Sequence, residues 1–177
     1  MKGIITMKRI ALIATLVLVS ATPAFAHAGH GIASGFLHPF LGWDHLIAML
    51  AVGAWGATHG ARAMWAVPAA FVSAMIVGGL FGMSGIEVPF VETMILASVF
   101  LLACFAAASV KMPIWSGIAI VGLFALAHGF AHGAEIPEGA NLWVFVAGFV
   151  TATSLIHALG AIAALVVMRL KALSTTH

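Results

Sequence analysis

Five apolar stretches, each at least about as long as the roughly 20 residues that a helix needs to cross a bilayer, take up most of this chain and dictate what it can become. They lie over 39–57, 63–81, 90–110, 114–132 and 141–168. Only 7% of the 177 residues are charged while 63% are hydrophobic, a balance that a water-soluble domain of this length does not tolerate. The apolar runs are continuous and do not alternate in ten-residue strands. The expected fold is therefore all-α, a polytopic bundle of five transmembrane helices, since helices satisfy their own backbone in lipid. The last stretch exceeds a single span, which predicts a tilt or a break near Gly160.

The start of the chain has a different character. Lys8 and Arg9 precede a short apolar core over 10–19, followed by Pro23 and the small-residue site Ala24-Phe25-Ala26. This pattern is that of a secretory signal over 1–26, cleaved to leave His27 as the amino terminus of a 27–177 membrane domain. An uncleaved first helix and a start at Met7 are the alternatives. With the mature amino terminus outside, five crossings put the carboxyl terminus inside. The basic residues Arg62, Lys111, Arg169 and Lys171 then all face inward, and Glu87, Glu135 and Glu138 face outward, as the positive-inside bias requires. The expected location is the cytoplasmic membrane of a bacterium, with the amino terminus periplasmic and the carboxyl terminus cytoplasmic.

Composition also removes several functions. Seven Lys plus Arg, three of them before residue 10, cannot form a surface that tracks phosphates, so no nucleic-acid partner is expected. No lysine follows a glycine, which excludes a Walker A loop, and neither a HExxH helix nor a GxSxG elbow occurs. The single cysteine, Cys104, forbids an internal disulfide and reads as a small buried hydrophobe. Gly78 and Gly82 form a small-xxx-small face suited to a helix contact, and a homo-oligomer is compatible with such a chain. No enzyme motif is present.

What remains is the placement of the few ionisable groups. Each costs about 2.5 to 3.5 kcal/mol near the bilayer centre, so a chain this apolar should keep them only for a purpose. They fall in two clusters. The first is His38-Pro39-Phe40-Leu41-Gly42-Trp43-Asp44-His45, at the outer start of the first span. Pro39 suits a first helical position, and on a helix that includes His38 the rings of His38 and His45 lie about 20° apart on one face. Asp44, about 100° around, either shares a ligand sphere or orients a neighbouring imidazole.

The second cluster, His128-Gly129-Phe130-Ala131-His132-Gly133-Ala134-Glu135, closes the fourth span at the same outer level. Offsets of four and seven residues place His128, His132 and Glu135 within an arc of about 60°, which is metal-ligand spacing if the helix persists to Glu135. Glu135 is otherwise an ordinary loop acid. Glu92 opens the third span at this depth, either as a ligand or as a first-turn carboxylate favoured by the helix dipole. His27 and His30, on the mature tail, read as ion gatherers or as solvated residues. His157, roughly 24 Å into the last span, reads as a deeper relay or as a bonded core histidine.

At these two clusters the sequence resembles the HupE/UreJ family of nickel-handling membrane proteins, encoded with hydrogenase or urease accessory functions. The similarity also takes in Leu46-Ile47-Ala48-Met49-Leu50-Ala51-Val52-Gly53 and Phe124-Ala125-Leu126-Ala127 and extends over nearly the whole mature chain. What the resemblance implies is a secondary permease for Ni²⁺, or for Co²⁺, that carries the metal as cargo and holds no permanent cofactor. It implies that His38, Asp44, His45, Glu92, His128, His132 and Glu135 fall on the family's polar motif residues. It also implies an indirect link to hydrogenase or urease maturation. The spacing His-x5-Asp-His is one residue longer than the otherwise similar motif of the NiCoT permeases. Ligand type alone does not choose between nickel, cobalt and zinc. Competing readings are a metal-binding accessory subunit that transports nothing, a bis-His haem protein built on His45 and His132, and a membrane metallohydrolase using Glu135 as base.

Overall fold

The computed structural model describes residues 32–136 and 139–175. The signal-like segment, His27, His30, Glu138 and His177 lie outside the described residues. Those described are all-helical, in six helices: α1 (Ile32–Leu41), α2 (Trp43–Thr58), α3 (Ala61–Gly82), α4 (Val91–Ala108), α5 (Ile114–Ala134) and α6 (Leu142–Ser174). Four of them, α3 to α6, are long and apolar enough to cross a membrane, and α1 with α2 makes a fifth if that pair counts as one broken span.

That pair corrects the first expected span. A single helix carrying both His38 and His45 does not form, because the chain turns by 87° at the Gly42 break between α1 and α2. Pro39 is not at a first helical position but inside α1, near its end. Gly42 is the N-cap of α2 in an extended conformation, and the Asp44 carboxylate accepts from the His45 amide at 2.9 Å, satisfying one of the amides a helix start leaves open. A side chain at 42 would have no room. A β-carbon there would stand 2.5 Å from His45 Cδ2 and 2.9 Å from the Asp44 carboxylate.

Glycine also sets how closely the long helices pack. The expected contact at Gly78 and Gly82 is made within this chain, on α5. A β-carbon on Gly78 would meet the Leu126 carbonyl at 2.2 Å, and one on Gly129 of α5 would meet the Met75 carbonyl of α3 at 2.0 Å. The two helices lie against each other backbone to backbone, as small residues allow in lipid. Gly160 serves α6 in the same way, and this corrects the expected break. α6 runs unbroken from Leu142 to Ser174, and Gly160 is where the Leu50 carbonyl of α2 comes within 2.1 Å of a would-be β-carbon. The core between these contacts is Met49, Val52, Trp55, Val67, Phe71, Val99, Leu102, Val121 and Ile156.

A candidate metal site at one end of the bundle

The α1–α2 junction, the start of α4, the end of α5 and the start of α6 converge at one end. α5 reaches Ala134, past Gly133, and Glu135 forms its C-cap. From there Glu135 turns back onto the helix it closes. His38 Nε2 stands 3.0 Å from His132 Nδ1 and 3.2 Å from Glu135 Oε2, and His132 Nδ1 is 3.5 Å from the same carboxylate oxygen. His38 and His132 are buried and Glu135 is exposed. At a metal–ligand distance of about 2.1 Å, adjacent ligand atoms stand about 3.0 Å apart in octahedral and about 3.4 Å apart in tetrahedral coordination. Once a metal displaced the imidazole protons, these three atoms would already stand at the spacing of one face of a coordination sphere. Hydrogen bonds from His132 first, and then His38, hold the Glu135 carboxyl well below the usual carboxylate range, so it remains an anion.

The rings are held by aromatic neighbours. His38 meets Phe145 edge-on at 5.6 Å between centroids, and His132 lies 4.8 Å from Phe149, both on α6. Further in, His45 approaches His132 at 4.3 Å and His128 at 5.0 Å. His128 is fully buried and its Nδ1 bonds the Phe124 carbonyl at 3.2 Å, so Nδ1 carries the proton and Nε2 the lone pair. That Nε2, His132 Nε2 and His45 Nδ1 are buried with no hydrogen-bond partner among the described residues. A buried acceptor left this way costs about 1 to 3 kcal/mol, and three beside one another mark a place where something else supplies the partner.

Of the residues expected at the site, His38, His132 and Glu135 meet directly, with His45 and His128 packed behind them at inclined ring angles. Asp44 lies at the rim, its carboxylate 3.9 Å from His45 Nε2. Glu92 does not join the cluster. It is exposed, in the first turn of α4, and lines with Glu87 and Glu135 an open cavity of about 720 Å³ that leads to the site. His157 is buried deeper, and His59 lies at the other end against the Trp55 carbonyl. The sequence reading passed over Gly42, whose position between His38 and Asp44 was a readable break signal. It also passed over Phe71, which packs against both His128 and His157 and which nothing in an apolar stretch distinguishes from core.

The fold and site define a polytopic helical membrane protein that gathers imidazoles and a carboxylate from separate helices into one cluster that could hold a metal ion. A family model described as HupE / UreJ protein matches residues 14–176. The chain is also 44% identical over 153 residues to Protein HupE of Rhizobium leguminosarum bv. viciae, an alignment covering 84% of this chain and 80% of that one. No solved structure matches. The chain belongs to the HupE/UreJ family of hydrogenase and urease accessory proteins.

Proposed function

We propose that the protein is a secondary permease that admits Ni²⁺, with Co²⁺ as its second substrate, across the bacterial cytoplasmic membrane to supply hydrogenase or urease maturation. The observation that carries the reading is the triad of His38, His132 and Glu135, whose ligand atoms from two helices and a loop lie within 4.8 Å of one another. The nickel preference comes from the family and not from the ligands, which suit several divalent ions.

The ion is drawn first by the exposed carboxylates of Glu87, Glu92 and Glu135 around the open cavity. His38, His132 and Glu135 replace part of its water, and the unpartnered nitrogens of His45 and His128 offer the next ligands inward. Arg62, Lys111, Arg169 and Lys171 belong to the opposite end, which supports a periplasmic metal site and a cytoplasmic carboxyl terminus. With no nucleotide motif in the sequence, the membrane potential supplies the pull. About 2.3 kcal/mol per charge per 100 mV gives about 4.6 kcal/mol for a divalent cation. Binding must stay moderate for the ion to leave, and a site with an exposed carboxylate beside an open cavity meets that need.

The haem alternative fits poorly. The rings of His45 and His132, 4.3 Å apart and inclined at 55°, leave no slot for a planar macrocycle between them. The test of the permease reading is uptake into sealed vesicles holding the purified protein, with Ni²⁺, Co²⁺ and Zn²⁺ in competition and the potential imposed or collapsed. Potential-driven Ni²⁺ accumulation that His132→Ala abolishes is the expected result. Binding without flux would make the protein an accessory that transports nothing.

A further inference from the structure

Below the cluster the buried core is mainly apolar. His157 of α6 is 2% exposed, and neither Nδ1 nor Nε2 has a hydrogen-bond partner among the described residues. One turn earlier on the same helix, the fully buried Thr153 hydroxyl oxygen is also unpartnered. The other buried histidines of the helices bond a carbonyl or a neighbouring polar side chain with one nitrogen, as His128 bonds Phe124 and His59 bonds Trp55. His157 bonds nothing.

Two features connect this residue to the rest. Phe71, itself fully buried, lies 5.8 Å from the His128 ring and 5.1 Å from the His157 ring, so a single aromatic side chain separates the innermost imidazole of the cluster from His157. On its other side His157 lines a cavity of about 580 Å³ between α3 and α6, shared with Ser73, Ser154, Met64 and Pro68. Met64 lies in the first turn of α3, so the cavity reaches toward the end opposite the metal cluster. Pro68 has no N–H to give the Met64 carbonyl four residues before it, which leaves the carbonyl of a cavity-lining residue without its helical donor. Irregular backbone at membrane depth is tolerated where it lines such a cavity, and freed carbonyls there serve cations.

From this arrangement we infer that His157 is a second, inner metal site, at which a divalent cation passed from the outer cluster across Phe71 is held before it leaves through the α3–α6 cavity. The inference rests on the permease reading and assigns that reading its exit-side ligand. One imidazole with oxygen donors and water makes a weaker site than three clustered ligands, and a weaker inner site favours release.

The test uses the full-length chain in sealed vesicles, with Ni²⁺ as the probe. His157→Ala should lower the initial rate of uptake at least tenfold while equilibrium Ni²⁺ binding to the outer cluster stays within twofold of the parent. Uptake within twofold of the parent overturns the inference. A second variant guards against a folding defect: His157→Cys, made in a Cys104→Ala background so that it holds the one thiol. A nickel–thiolate charge-transfer band in the near ultraviolet, absent from the Cys104→Ala parent, is expected on adding Ni²⁺. A folded His157→Cys protein without that band also overturns the inference. His132→Ala keeps the two levels apart, since full uptake by that variant defeats the permease reading whatever position 157 does. Dead His132→Ala with fully active His157→Ala defeats the inner site alone.

Discussion

The two ends of the bundle both carry histidine, tryptophan and charge, and they use them in opposite ways. At the end opposite the candidate metal cluster four polar side chains finish on backbone carbonyls, although the second ring nitrogen of His59 is buried without a partner among the described residues. Trp55 Nε1 donates to Val110 at 2.9 Å, Thr58 and His59 both turn to the Trp55 carbonyl, and Lys111 donates to the Thr58 carbonyl. These bonds tie the end of α2 to the loop between α4 and α5. At the cluster end the imidazoles face each other and a carboxylate, and three ring nitrogens find no partner. Polar groups that close off backbone hold a fold together, whereas polar groups that converge and stay unsatisfied are arranged for a ligand. The same residue type falls on either side of that line according to its neighbours: His59 Nδ1 is tied to the Trp55 carbonyl of its own helix, whereas His132 Nδ1 faces His38 and Glu135.

The contrast predicts a large asymmetry between the ends. His132→Ala removes a nitrogen that faces His38, Glu135 and His45 together, and Ni²⁺ uptake should fall at least a hundredfold in a protein that still inserts. Trp55→Phe at the other end should leave the metal affinity unchanged. Uptake assays on vesicles with matched protein content check both. Equal losses in the two variants would mean that the ends do not divide into ligand and scaffold.

A smaller effect is expected where the cluster depends on backbone. Gly42→Ala puts a β-carbon against the His45 ring and the Asp44 carboxylate, so this pair must shift while the α5 ligands stay in place. A loss of about tenfold in Ni²⁺ affinity, read by equilibrium dialysis, would separate it from Gly122→Ala, where a β-carbon meets nothing within 4 Å and binding should not change.

Acid should act at the cluster end only. Imidazoles must be neutral to ligate, and protons compete with the metal for them as the solution is acidified. Glu135 titrates the other way from a raised acid. Held below the usual range by the hydrogen bonds from His132 and His38, its carboxyl stays charged at neutral and mildly acidic pH and contributes nothing to the loss there. Ni²⁺ binding should therefore weaken on acidification and be lost in strong acid. Glu135→Gln should lower affinity at neutral pH with that loss in acid retained. A parent that binds Ni²⁺ equally well at pH 7.5 and pH 3 would place the ligands elsewhere.

How far the sequence carried this picture follows the same division. The apolar spans over 63–81, 90–110, 114–132 and 141–168 came within a few residues of α3 to α6, because a bilayer leaves a continuous apolar run little choice but a helix. The second cluster was legible for a related reason, as a helix places His128, His132 and Glu135 on one side by period alone. The first was harder. Helical period put His38 and His45 on one face, but the two reach the cluster from separate helices because Gly42 breaks the run, and a glycine between apolar residues weighs little in a hydropathy count. Glu92 sits at the expected depth yet outside the triad, since depth along a span says nothing about which way a first-turn carboxylate points. Phe71 carries no sequence signal at all, and only its two imidazole neighbours distinguish it.

The smallest expected effect belongs to the end that only holds. Trp55→Phe keeps most of the buried ring and deletes the N–H that bonds Val110, a hydrogen bond worth about 1 kcal/mol. Removing the donor also leaves the Val110 carbonyl to find another partner in a loop where Lys111 is already committed to Thr58. The midpoint of thermal unfolding in detergent should drop by a few degrees, with Ni²⁺ affinity and uptake unchanged. Phe149→Leu makes the converse change, removing the ring beside His38 and His132 while leaving every backbone hydrogen bond in place. Its unfolding midpoint should move by a similar amount, but its Ni²⁺ affinity should weaken measurably, because the two imidazoles then lose the wall that fixes their angle. A metal affinity that falls in Trp55→Phe and holds in Phe149→Leu would reverse the assignment of the two ends.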